Sequence, residues 1–286
     1  MKEFFEIRLE ESDARRFFPP DVGRTLGDDK SVRSVKVSTD DPWFLRIGQK
    51  QFQSIKHDDL FYYSGAMTRE YTPQEWRDAR LFSLQVFRCF EPAGEEVGTE
   101  YDESQACPHC GAGAVQKSPL RLRLSSIPKK ADFAVTIANE HIVSAKAAEV
   151  LKAAGVIGMR LDPVFNGIAA KEPMANWFQL VVEDISAEIV SPTRIGTEPF
   201  DWDQNEFACR RGDTLGLGLY SAITANWKCN ARFQIGLTSK FLGRRAGLLR
   251  PERSILVTPA FRQLCIEQGL KGCLFHVAHL ADDGRV

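Results

Sequence analysis

Long apolar runs are what this sequence lacks most plainly. No segment approaches the roughly 20 consecutive apolar residues with which a helix crosses a bilayer. The opening Met1-Lys2-Glu3-Phe4-Phe5-Glu6 reaches Glu10 and Glu11 without the apolar core of a secretory signal. An excess of one charge is also missing. The 37 Lys and Arg stand against 38 Asp and Glu, a formal net charge of −1, so no global field draws the chain to nucleic acid or anionic lipid. Cysteine is sparse and odd in number, seven residues scattered over 286. That is not the framework of a disulfide-stapled secreted domain, and a reducing, cytoplasmic location is expected. GxxxxGKS/T, GxSxG and HExxH are absent too, so no enzyme class is assigned from motifs.

What is present is an ordinary globular mixture, 43% hydrophobic and 26% charged, long enough for one large or two modest domains. Thr72-Pro73-Gln74-Glu75 predicts a helix start, with Thr as N-cap, Pro at the first helical position and an acid in the first turn. Ser31 to Val37 alternates, Trp43-Phe44-Leu45 reads as buried, and Asp58 to Ala66 and Leu81 to Phe90 read as strands. Leu120 to Leu124 alternates at period two, the pattern of a strand with one wet face. Asn176 to Glu183 reads as a strong strand, and Asp213 to Ala225 as an apolar helix. Pro199 to Glu206, with Trp202, reads as an acidic and aromatic loop.

An internal repeat organises the chain. Val143 to Val164 lies on Val257 to Ala278 without a gap. Ser144 meets Thr258, Gly155 meets Gly269 and Gly158 meets Gly272. Each copy predicts a strand, a hydroxyl N-cap, a short helix ended by glycine, and a second strand; Pro259 suits the first helical position of the second copy. Two copies point to two similar lobes, divided as residues 1–165 and 166–286, in an α+β fold with mixed sheets.

The sharpest chemical motif is Cys107-Pro108-His109-Cys110-Gly111. Thiol redox chemistry would need a strand before it and a helix after it; polar residues precede it and Gly111-Ala112-Gly113-Ala114 follows. A metal knuckle fits better, because two thiolates at this spacing bite one ion and the glycine turns backbone N–H groups toward the sulfurs. Two free cysteines on a loop is the plain alternative. One CxxC supplies two of four zinc ligands. Cys209 and Asp213, in the polar turn 207–213, are the best placed to complete them; Cys229, Cys89 and His109 are further candidates. Cys89 reads as core, and Cys265 and Cys273 as buried thiols. Such a zinc would be structural, tying the acidic loop to the second half of the chain.

Glu95, Glu96, Glu100, Asp102 and Glu103 make residues 91–106 an acidic loop. Lys240, Arg244, Arg245, Arg250 and Arg253 form a basic stretch. It is either a phosphate grip for nucleic acid or a loop neutralised by those acids, and neutralisation is favoured. His276 and His279 read as half-exposed strand histidines, and Asp201, Asp203 and Glu206 as a solvated acidic loop.

Together these features resemble a bacterial group abundant in myxobacteria, the double-CxxCG paralogues and related immunity proteins of polymorphic toxin systems. The likeness spans roughly residues 100 to 280. Its carriers are the CxxCG, the Cys209-x-x-Gly212-Asp213 turn, the segment from Arg244 to Pro251 and the unit from Leu256 to Gly272. It implies a cytoplasmic, non-catalytic protein that binds and neutralises a cognate toxin, with Glu95, Glu96, Glu100, Asp102 and Glu103 as the candidate partner-binding residues. Cys107 and Cys110 match the first cysteine pair, and Cys209 stands where a second begins; residue 212 is glycine, so that pair is not completed. A nucleic-acid-binding zinc knuckle is the alternative function.

Overall fold

The computed structural model describes residues 1–55, 64–195, 208–216, 221–243, 245 and 247–281. The fold is α+β with mixed sheets. It parts into two compact units, Met1–Asp78 with Ile195–Glu206, and Ala79–Arg194 with Phe207–Val286. Residue 165, the expected boundary, falls inside the larger unit. Among the described residues no helix is long and apolar enough to cross a membrane.

The smaller unit is built on an antiparallel sheet of β1 (Lys2–Glu10), β2 (Arg24–Leu26), β3 (Val32–Ser38) and β4 (Ser64–Glu70), in the order β2-β3-β1-β4. Phe5, Ile7 and Leu9 alternate along β1 and are fully buried, as one covered sheet face requires. Helix α1 (Glu11–Phe17) is fastened by Glu11, whose carboxylate accepts from Arg33 Nε at 2.8 Å while Arg33 Nη1 reaches the Pro19 carbonyl at 3.0 Å. Helix α2 (Pro42–Ile55) turns Phe44 and Ile47 inward; Leu45, expected with them, is 48% exposed because one helical step carries it off the apolar stripe. Helix α3 (Pro73–Asp78) starts as expected: Glu75 N–H donates to Thr72 Oγ1 at 3.2 Å, and Thr72 N–H to Glu75 Oε2 at 2.7 Å. The strand expected from Asp58 begins at Ser64 among the described residues, and 58–63 lie outside them.

The larger unit starts with β5 (Leu81–Val86) and β6 (Cys89–Phe90), then the hairpin β7 (Tyr101–Asp102) and β8 (Val115–Gln116), then β9 (Leu120–Leu122) and β10 (Phe133–Thr136). The first repeat copy is β11 (His141–Ser144), α4 (Ala145–Ala153) and β12 (Met159–Asn166), followed by β13 (Pro173–Val182). Next come β14 (Glu188–Ile189), β15 (Thr224–Asn226) and β16 (Ile235–Leu237). The second copy is β17 (Ile255–Val257), α5 (Pro259–Glu267) and β18 (Cys273–Leu280). Ser144 and Thr258 accept from Ala147 N–H at 3.2 Å and Phe261 N–H at 3.4 Å, so both hydroxyl caps form. Asp213 to Ala225 is not helical in its described part. Gly212 and Gly216 hold φ of 75° and 146°, which a right-handed helix does not accept, and the described segment runs as turns into β15.

Two six-stranded sheets result, β6-β10-β11-β13-β12-β9 and β14-β15-β18-β5-β17-β16, and they are wired alike. In each, one strand lies antiparallel between the two strands of a repeat copy: β13 between β11 and β12, β5 between β17 and β18. Register agrees as well. Val143 faces Phe178 as Val257 faces Phe82, Leu161 faces Leu180 as Phe275 faces Leu84, and Asn166 faces Leu122 as Leu280 faces Ala225. The central strands are exchanged along the chain. β5, from the first half, completes the sheet of the second copy, and β13, from the second half, completes that of the first. The two apolar clusters sit at matching positions, Leu122, Ile142 and Val164 in one, Ala225, Leu256 and Ala278 in the other.

The sheets meet where each copy turns from helix to second strand. Ile235 N–H donates to the Ile157 carbonyl at 3.1 Å, and Phe133 N–H to the Lys271 carbonyl at 2.8 Å. A Cβ at Gly158 would stand 2.0 Å from the Ile235 oxygen, and one at Gly272 2.0 Å from the Phe133 oxygen. Close approach therefore explains this glycine pair, whereas Gly155 and Gly269 meet nothing within 4 Å and serve only the left-handed helix end.

Candidate metal centre

Cys107 and Cys110 lie on the loop between β7 and β8, and Cys209 and Asp213 on the turn before β15. Both segments close the same way. Cys107 N–H donates to the Ala112 carbonyl at 2.7 Å, and Cys209 N–H to the Thr214 carbonyl at 2.9 Å, five residues on in each case. Gly111 and Gly212, both at φ 75°, permit the reversals. The turns bring backbone donors to sulfur: His109 and Cys110 N–H face Cys107, and Arg211 and Asp213 N–H face Cys209. From Arg211 the distance is 3.4 Å.

The four expected ligands converge. The sulfurs of Cys107, Cys110 and Cys209 and a carboxylate oxygen of Asp213 all lie within 4.8 Å of one another. Cys107 and Cys209 Sγ are 3.5 Å apart, Cys209 Sγ is 3.8 Å from Asp213 Oδ2, and the Thr214 hydroxyl donates to Cys110 Sγ at 3.1 Å. Sulfurs about 2.3 Å from a tetrahedral ion stand about 3.8 Å from each other. The cluster is thus sized for one ion at its centre, and a small inward or outward adjustment of side chains suffices.

Electrostatics agree with that geometry. The Cys110 N–H favours a thiolate at Cys107, yet burial and the neighbouring Asp213 and Cys209 outweigh it and raise this thiol to about 11. At Cys209, burial opposes ionisation, but the Arg211 and Asp213 N–H groups and the Cys107 and Cys110 thiols outweigh it and lower the pKa. Closely spaced acids hold on to a shared proton, and a bound cation takes that proton's place.

The other cysteines stay outside the cluster. Cys89 is exposed, because the two-residue β6 turns its side chain away from Phe90, the buried neighbour, and so it is not the core residue expected. Cys229 is half-buried. Cys265 is buried and Cys273 half-buried, with their thiols hydrogen-bonded to each other. His109 is exposed on the rim of a cavity of about 500 Å³ that is also lined by Cys107, Cys110, Arg211 and Arg245.

The acidic loop and the basic segment neutralise each other. Arg245 holds Glu103 through two nitrogens, at 2.7 and 2.9 Å. Arg250 reaches Glu103 at 2.7 Å and Glu95 at 2.9 Å, and stacks over the Tyr101 ring at 4.6 Å. The Arg245 and Arg250 guanidiniums hold the Glu103 carboxyl down at about 2. The stem of Arg245 lies against Gly111, where a Cβ would come within 2.8 Å of its Cδ, so the glycine after the second cysteine also seats this latch. Asp102 pairs with Lys117 at 3.0 Å, while Glu96 and Glu100 are exposed. Lys240 is exposed, and Arg253 packs over Phe241 at 4.0 Å. Arg244, Asp201, Trp202, Asp203 and Glu206 lie outside the described residues. His276 Nε2 sits 3.1 Å from Gln85 Oε1, and His279, three residues along the same strand, points the other way and is exposed.

Two contributors escape a sequence reading. Thr214 falls in the segment that reads as an apolar helix, yet its hydroxyl serves Cys110. Glu140 is 5% exposed and fastens the acidic loop from beneath, accepting from Thr136 Oγ1 at 2.6 Å, Gly94 N–H at 2.7 Å and Tyr101 OH at 2.7 Å.

Compared with known families and curated proteins, the chain matches no family model and no curated relative.

Proposed function

We propose that this is a non-catalytic binding protein of the immunity type, whose larger unit is clamped by a structural zinc ion held by Cys107, Cys110, Cys209 and Asp213. The observation that supports the zinc is the convergence of three sulfurs and one carboxylate from segments about a hundred residues apart. Three soft sulfurs suit zinc better than magnesium or calcium, which take all-oxygen shells. Four protein ligands fill a tetrahedron and leave no position for an activated water, which is the mark of a structural site.

The immunity reading rests on the likeness of the CxxCG and its partner segments to such proteins, and it assigns the protein a partner instead of a substrate. Glu96 and Glu100 are exposed acids of the loop and suit a basic partner surface, such as that of a toxin acting on nucleic acid. Direct nucleic-acid binding is the weaker reading, because Arg245 and Arg250 already hold Glu95 and Glu103.

The test is co-expression with toxins encoded beside this gene. Rescue of growth together with a stoichiometric complex supports the reading, and loss of rescue in the Glu96→Lys, Glu100→Lys double variant assigns the surface. Failure to rescue against every neighbouring toxin removes it.

A further inference from the structure

We propose that Cys107 and Cys209 are also a disulfide-forming pair, so that a peroxide converts the metal clamp into a covalent one. The metal-release half of this inference rests on the zinc reading above; the pairing itself rests on the sulfur geometry alone.

Four observations carry it. The two sulfurs are 3.5 Å apart, and forming a bond of about 2.05 Å asks them to close by roughly 1.5 Å. They belong to residues 102 apart in sequence, so the pairing joins two segments that the ion also joins. Cys110, the sequence neighbour that would compete for Cys107, has its sulfur held by the Thr214 hydroxyl at 3.1 Å. The cavity of about 500 Å³ lined by Cys107, Cys110, His109, Arg211 and Arg245 gives a small oxidant a route to the otherwise buried Cys107.

The step balances without a further reagent. The Cys107 sulfur attacks one oxygen of hydrogen peroxide and gives up its thiol proton, the O–O bond breaks, and that proton leaves with the departing hydroxide as water. The Cys209 thiolate then attacks the oxidised sulfur; the S–S bond forms, the S–O bond breaks, and a second proton completes a second water. Two electrons pass from the sulfur pair to the peroxide. A bound divalent ion, having lost two of its three sulfur ligands, leaves as the aqua cation. The knuckle and the turn remain tied to each other throughout.

The experiment treats the full chain, as purified, with hydrogen peroxide, blocks free thiols, and maps linked peptides without reduction while a chromophoric chelator follows released metal. The expected result is a peptide pair joined through Cys107 and Cys209, with metal released in step with it, and no such pair in Cys209→Ser. Linkage of Cys107 to Cys110, linkage of Cys110 to Cys209, or oxidation without any linked pair overturns the proposal. The outcomes separate from those of the zinc reading. Protein that carries no metal yet joins Cys107 to Cys209 keeps the pairing and sinks the zinc. Protein that releases metal without this linkage keeps the zinc and sinks the pairing. Should Cys209→Ser fail to fold, the peptide map of the unaltered chain decides alone.

Discussion

Alanine at Gly158 or Gly272 should destabilise the larger unit far more than alanine at Gly155 or Gly269, although all four glycines hold positive φ, at 88°, 103°, 65° and 59°. The shared part of the effect is conformational. A left-handed backbone disfavours a Cβ by roughly 1–2 kcal/mol, and for Gly155 and Gly269 nothing adds to it, since open space surrounds them. At Gly158 and Gly272 the new methyl meets a carbonyl oxygen at 2.0 Å. That oxygen belongs to a strand of the other copy's sheet, Ile235 of β16 or Phe133 of β10, and cannot swing aside like a side chain. Overpacking of this kind adds about 1–3 kcal/mol, and its upper end applies because backbone must move. The totals are about 1–2 kcal/mol for the first pair and about 4–5 kcal/mol for the second. For a unit of this size each kcal/mol lowers Tm by roughly 2–4 °C, so thermal unfolding followed by circular dichroism separates the pairs. Equal Tm losses at Gly155 and Gly158, or a Gly272→Ala variant as stable as the parent, would refute the close approach of the two copies.

Acid should loosen the loop at 91–106. Glu103 is held at about 2 against 4.5 unfolded, so the stability it contributes is present above about pH 4.5 and is lost as pH falls toward 2; Glu103→Gln should flatten that part of the stability–pH curve, and an unchanged curve contradicts the latch. Asp213→Asn should weaken metal retention by about 10-fold or more while Asp213→Cys preserves or strengthens it, read by competition with a chelator; equal retention in all three proteins would remove Asp213 from the ligand set. In a gel shift with duplex DNA, the parent should bind weakly at any salt concentration because Arg245 and Arg250 are engaged; steep salt dependence would restore the nucleic-acid reading.

What a sequence can disclose here follows from the range of each interaction. The repeat is legible because caps and helix ends are local: Ser144, Thr258, Pro259, Gly155 and Gly269 each act within one turn of chain, and the two helices have identical lengths. The exchanged central strands were not anticipated. Phe82-Ser83-Leu84-Gln85-Val86 and Phe178-Gln179-Leu180-Val181-Val182 share Phe, Leu and Val at three matching positions, but a strand's own pattern does not say which neighbours it will join. The division at residue 165 overlooks this exchange. The cluster of three thiols and a carboxylate was legible for chemical reasons, since CxxCG and Cys209-x-x-Gly-Asp each carry a candidate ligand and a glycine at knuckle spacing. The helix expected at 213–225 went wrong at the same place, because Gly212 and Gly216 serve the turn that presents Cys209 and Asp213. Glu140 shows the opposite limit, where a lone acid in a short turn has no local signature of the three donors gathered around it.

X-ray absorption at the metal edge of the purified protein bears most directly on the clamp. One ion per chain, with three sulfurs at about 2.3 Å and one oxygen at about 2.0–2.2 Å, is the result expected from Cys107, Cys110, Cys209 and Asp213. An ion surrounded only by nitrogen and oxygen, or protein that stays metal-free after refolding with zinc, would mean that these four side chains meet without coordinating anything.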